Sequence, residues 1–112
     1  TSDKWLFFWI FFQVQPLITI FKSSIRVQNE KFLILECMIQ AFPKGIQFWT
    51  FKGERIESDK KYQIDEIQKE NDSIQFVLNI SFLDSTDFGT YQCVSQNAIN
   101  ITYGQIEVYC KT

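Results

Sequence analysis

Three residues constrain this chain more than anything else in it: Cys37, Trp49 twelve positions later, and Cys93, which closes the run "DSTDFGTYQC" at 84–93. Each is a weak signal alone. Their setting gives them weight, because both cysteines sit in stretches that alternate with period two, as half-buried strands do. "KFLILECMIQ" (31–40) puts Leu33, Leu35, Cys37 and Ile39 on one face. "IQFVLNISF" (74–82) puts Phe76, Leu78 and Ile80 on one face, with Gln75, Val77, Asn79 and Ser81 on the other. "LITIF" (17–21), "SIRVQ" (24–28), "IQFWTF" (46–51), "KYQIDEI" (61–67), "TYQCVSQ" (90–96) and "YGQIEVY" (103–109) complete a set of short extended pieces. "FPKG" (42–45), "ENDS" (70–73) and "NAIN" (97–100) separate them, the last as a hairpin turn in which Asn accepts positive φ. No segment sustains a 3.6-residue period. The expectation is an all-β sandwich or barrel.

A chain of 112 residues has room for one core. The absence of histidine removes Ser-His-Asp and Cys-His catalysis and the commonest zinc ligand. Cys37, Cys93 and Cys110 are too widely spaced for a metal or redox motif, and two of them could form one disulfide, which needs an oxidising compartment. The net charge of −2 argues against a nucleic-acid partner. "KGERIESDKK" (52–61) mixes both signs and reads as a solvated loop and edge strand. Asp84 and Asp87 flank one turn, which supplies too few oxygens for a calcium cage. No glycine-rich phosphate loop is present. The expectation is a non-enzyme that takes no cofactor and no metal.

Taken jointly, Cys37, Trp49, Asp87, Gly89, Tyr91 and Cys93 resemble the immunoglobulin framework. That resemblance implies a Greek-key sandwich of the I-set or C2 type over residues 14–110. It implies a Cys37–Cys93 bridge between the sheets with Trp49 packed against it in a core shared with Leu35, Leu78 and Ile80. Tyr91 would be the corner tyrosine, with Gly89 at its tight approach and Asp87 closing the turn before it. One point stays open. If Trp49 points inward, Gln47 shares its parity, unless a bulge shifts the phase or Phe48 takes the core position instead.

"LECMIQAFPKGIQFWTFKGERI" (35–56), "KYQIDE" (61–66) and "DFGTYQCVSQNAIN" (87–100) narrow the resemblance to the third, membrane-proximal immunoglobulin domain of arthropod lachesin-like adhesion proteins. These include the neuronal interactors of the defective-proboscis-response receptors and are similar to the vertebrate IgLON proteins. The match runs from about Val14 to Tyr109. It implies an extracellular, membrane-anchored recognition protein whose partners are other cell-surface immunoglobulin proteins, with the anchor outside this chain. This domain would act mainly as a spacer. The alternatives are a structural domain of an intracellular muscle-type filament and a small secreted single-domain protein. Sequons and a formed disulfide separate the first of these from the surface reading. Asn100 stands where the family's turn usually has Gly, a substitution that calls for a left-handed conformation. Cys110 is left open among a thiol, an intermolecular bridge and an accident of where the chain ends.

Three N-x-S/T sequons occur, at Asn71, Asn79 and Asn100. Asn79 lies mid-strand on the outward parity, so a glycan there covers the sheet built from the first, second, fourth and fifth strands. The opposite sheet, with Gln92, Val94, Gln105 and Glu107, stays open as the candidate protein-contact face.

"WLFFWIFF" (5–12) is eight apolar residues, six of them aromatic, and under half the length of a membrane span. Residues 1–13 read as translated intron, since Phe-Phe-Gln can be spelled by a pyrimidine run ending in CAG, or as a partial signal peptide. The chain begins without Met and reads as a fragment.

Overall fold

The computed structural model describes residues 14–110; the two readings of residues 1–13 lie outside it. The described residues form β1 (Val14–Thr19), β2 (Ser24–Val27), β3 (Leu33–Phe42), β4 (Ile46–Phe51), β5 (Glu54–Arg55), β6 (Tyr62–Gln68), β7 (Ser73–Ile80), β8 (Gly89–Gln96) and β9 (Ile101–Cys110), with one 3₁₀ turn at Ser85–Asp87. One sheet runs β1-β3-β7-β6 and the other β2-β9-β8-β4-β5. The hairpins β4–β5, β6–β7 and β8–β9 are joined into the sheets by pairs distant in sequence, β1 with β3, β3 with β7, β4 with β8 and β2 with β9, as in a Greek key. The first edge strand is shared: β1 pairs antiparallel with β3 as far as Thr19↔Met38, and β2 pairs parallel with β9 from Ser24↔Glu107.

Period-two patterning places the core between the sheets. Leu35, Cys37 and Ile39 of β3 face Trp49 of β4, Tyr91 and Cys93 of β8, and Ile106 and Val108 of β9, with Phe76, Leu78 and Ile80 of β7 beside them, all at most 1% exposed. Each such side chain contributes roughly 1.5–3 kcal/mol by leaving water. Trp49 stacks on Phe76 with ring centroids 5.5 Å apart. Its indole N–H has no hydrogen-bond acceptor among the described residues, so packing alone holds the ring.

The parity question at Trp49 has a definite answer. The register of β4 on β8 runs without interruption from Ile46↔Gln96 to Phe51↔Tyr91, so there is no bulge and Gln47 does face inward. It lies near the end of the sandwich, where its polar groups find partners. Its Nε2 donates to Glu66 Oε1 at 2.7 Å and its Oε1 accepts from Ser95 Oγ at 3.2 Å. Lys44 Nζ donates to the second Glu66 oxygen at 2.9 Å. A satisfied amide costs far less to enclose than an orphaned one. At the same end Gly45 passes so close to β8 that a Cβ would sit 1.6 Å from the Gln96 carbonyl oxygen, which only glycine permits.

Two turn assignments are corrected. Neither Asn97 nor Asn100 takes positive φ; Asn97 Oδ1 instead accepts from the backbone N–H groups of Ile99 and Asn100, at 3.0 and 3.2 Å, and turns the chain through its side chain. The left-handed residues are Lys52 and Gly53 in the two-residue β4–β5 hairpin, Asn71 and Asp72 in the β6–β7 turn, and Phe82. Nor is 52–61 wholly solvated. Ile56 is buried, and Lys61 reaches inward to the corner described next.

Candidate functional site

Two features stand out on this scaffold: a braced corner below β8, and the outer face of the five-stranded sheet. The corner begins with Asp84, whose side chain accepts from the Thr86 backbone N–H at 2.9 Å and starts the 3₁₀ turn. Asp87, 1% exposed, reaches back so that its Oδ2 accepts from the Asp84 backbone N–H at 2.9 Å. The same oxygen accepts from Lys61 Nζ at 2.9 Å. Lys61 also donates to the carbonyls of Ser81, at 3.2 Å, and Phe82, at 3.1 Å. It thereby ties down a turn in which Phe82 is held at φ 53°, a conformation costly for a non-glycine residue. Tyr91 OH donates to the Asp87 carbonyl at 2.7 Å, and its ring stacks on Phe51 at 4.2 Å. Gly89, at φ 146°, is where a side chain is excluded: a Cβ would meet Phe51 Cε1 at 3.1 Å. Above the corner, Cys37 and Cys93 are bonded across the two sheets, with Cα atoms 6.6 Å apart.

On the outer face, Gln105 and Glu107 are exposed and Gln92 is half-buried. Thr50 Oγ1 donates to Gln92 Oε1 at 3.2 Å, and Thr90 Oγ1 donates to Glu107 Oε2 at 2.7 Å. Val94 is not available as a contact residue, because it is 6% exposed. It lies in register between Phe48 and Tyr103, two large side chains that leave a valine on the middle strand little free surface. Those neighbours are what the sequence reading missed. Ile46, Ile101 and Tyr103 are 56, 51 and 61% exposed on this face. Phe48 lies under the Arg55 guanidinium at 4.8 Å. The signal was present, since Ile46 and Phe48, and Ile101 and Tyr103, have the outward parity of their strands. An apolar end and a polar end therefore share one sheet face.

Asn71 and Asn100 are exposed in turns at the end of the domain that carries the β3–β4 loop. Asn100 Nδ2 donates to Gln15 Oε1 at 3.0 Å. Asn79 is half-buried on the outer face of the four-stranded sheet, its Nδ2 3.5 Å from Asp65 Oδ2. Cys110 is exposed at the end of β9. Among the described residues no group of three or more acidic, cysteine or histidine side chains is placed to hold a metal, and no helix is long and apolar enough to cross a membrane.

The family model described as "Immunoglobulin domain" matches residues 15–97. The chain belongs to the immunoglobulin domain family. Contactin-4 from Rattus norvegicus is 28% identical over 97 residues, covering 87% of this chain and 9% of that protein. Protein amalgam from Drosophila melanogaster is 21% identical over 97 residues, covering 87% of this chain and 29% of that protein. Among solved structures, a chain of the complex of Dpr2 Ig1-Ig2 with DIP-Theta Ig1-Ig3 superposes with a TM-score of 0.82 at 27% identity, over 88% of this chain and 33% of that one. Titin M4 superposes with a TM-score of 0.74 at 18% identity, covering 88% of this chain and 98% of that one, a likeness of fold. This immunoglobulin domain thus spans less than a third of either curated relative.

The corner gives the immunoglobulin domain an alkaline limit. Burial, and then the negative charge of Asp87, push the Tyr91 phenol well above its ordinary value of 10.0. Partial burial pulls the Lys61 ammonium down, but the hydrogen bond and charge of Asp87 outweigh it, and Lys61 ends above its ordinary 10.5. Both native groups hold their protons where the unfolded chain releases them. Their stabilisation is complete below about pH 10 and is lost as pH rises through the native values. Melting temperature should therefore fall above pH 10. Tyr91→Phe should cost about 1–2 kcal/mol at neutral pH and flatten the alkaline slope. An unchanged slope in the variant would exclude Tyr91 as its source.

Proposed function

We propose that this chain is the third, membrane-proximal immunoglobulin domain of an arthropod lachesin-like neuronal adhesion protein, exported to the cell surface and non-catalytic. Its main role is as a spacer that holds a partner-binding domain away from the membrane. The observation that carries this reading is the likeness, at 27% identity, to a chain solved in a complex of two multi-domain immunoglobulin proteins. Contactin-4 and amalgam, at comparable coverage of this chain, support it. The bonded Cys37 and Cys93 suit an oxidising compartment. If the domain touches a partner, the contact falls on Ile46, Phe48 and Tyr103, the large apolar side chains of the five-stranded face.

The test replaces this domain, within the full-length protein on cells, by an unrelated immunoglobulin domain of the same length. Cell–cell binding should survive the exchange and weaken when the domain is deleted outright. Loss of binding on exchange would mean that this domain itself carries a contact. The filament alternative is tested on native tissue, where Cys37 and Cys93 recovered as thiols would sink the surface reading.

A further inference from the structure

We infer that an N-linked oligosaccharide on Asn71 packs its first sugar into an apolar groove of this same domain; the inference rests on the exported reading above. The groove, of about 530 Å³, lies where the start of β1, the end of β3 and the β6–β7 turn meet, and Asn71 itself is part of its wall. Val14, Leu17, Ala41 and Phe42 supply an apolar surface, and Gln40 and Asp72 a polar margin. That mixture suits a pyranose ring, which has an apolar C–H face and a rim of hydroxyl groups.

The acceptor is already positioned. Asn71 and Asp72 both sit at φ 59°, a conformation that Asn and Asp tolerate, and Gln40 Nε2 donates to the Asn71 carbonyl at 3.0 Å, tying the turn to β3. Among the described residues no hydrogen bond holds the Asn71 side-chain amide, whereas Asn100 Nδ2 is engaged by Gln15 and Asn79 is half-buried. The groove also has something to gain. Val14 and Leu17 are 53 and 60% exposed on an edge strand, an arrangement that invites pairing with other chains unless it is covered.

The attachment balances as a substitution. Asn71 Nδ2 displaces the diphosphate of a lipid-linked oligosaccharide donor on a membrane-bound transferase. The Nδ2–C1 bond forms, the C1–O bond breaks, the diphosphate leaves with the bonding pair, and the amide proton passes to base.

The test uses the full chain secreted from eukaryotic cells behind a leader, with glycans trimmed enzymatically to the first sugar. Site occupancy is read by mass spectrometry, and amide exchange at Leu17, Ala41 and Phe42 by deuterium uptake. Asn71 should be occupied, and those amides should exchange about tenfold more slowly than in Ser73→Ala, which removes the sequon while leaving Asn71 in place. Ser81→Ala, which removes the Asn79 sequon, should leave them unchanged. A bare Asn71, an occupied Asn71 with unchanged exchange, or a glycosylated chain protecting Leu17 only as a concentration-dependent dimer would each overturn the inference. Occupancy and protection in a protein that fails the cell-binding test would sink the adhesion reading and leave this one standing.

Discussion

Replacing Cys37 and Cys93 together by alanine should remove about 4 kcal/mol of stability, in chain-entropy terms, for a loop of 56 residues. Native domains of this size are stable by roughly 5–15 kcal/mol, so the loss removes from about a quarter to about four-fifths of the total. The expected result is a large drop in the urea midpoint that reductant reproduces in the parent protein and does not deepen in the variant. The serine pair should be worse than the alanine pair, because both positions are at most 1% exposed and would enclose two hydroxyls among Leu35, Trp49 and Phe76. Equal midpoints for parent and alanine variant would mean that packing, not the cross-link, dominates. Trp49 then becomes the residue to test, with Trp49→Ala expected to cost about 3–5 kcal/mol.

The disulfide was legible because its two cysteines, the tryptophan and the tyrosine recur at fixed spacings in this architecture, and because period two assigns each to a face. Period two is silent on neighbours. It put Val94 on the outer face, where its parity places it, but not between Phe48 and Tyr103, which close it off. Gln47 looked anomalous on an inward position because its partners, Glu66 and Ser95, lie 19 and 48 residues away. The NAIN turn was read through backbone propensity, whereas the Asn97 side chain does the turning. Gly45 looked like loop punctuation, and only the approach of β8 reveals why nothing larger fits. The misses at Val94, Gln47 and Gly45 are contacts between segments far apart in sequence, while the NAIN miss is a local side-chain-to-backbone turn. Each success is a pattern within one segment or a spacing.

Lys61 is the clearest such miss, hidden in a mixed-charge run, and the carboxylate it reaches defines the second large effect. Asp87→Ala should destabilise the domain by about 3 kcal/mol. It strands an ammonium whose side chain is 27% exposed and deprives the Asp84 backbone N–H of its acceptor. The cost falls at the low end for a broken buried pair because Lys61 keeps the Ser81 and Phe82 carbonyls. Asp87→Asn should fall between alanine and wild type, since the amide oxygen still accepts from Asp84 while the charge is lost. Lys61→Met leaves a nearly enclosed carboxylate without its cation, and should lower stability as well. If the corner is a unit, combining Lys61→Met with Asp87→Asn should cost less than the sum of the two, by about 1 kcal/mol or more in a double-mutant cycle. Additive costs would mean that the pair contributes nothing as a pair. The turn at Phe82 would then be held by the two carbonyl contacts of Lys61 alone.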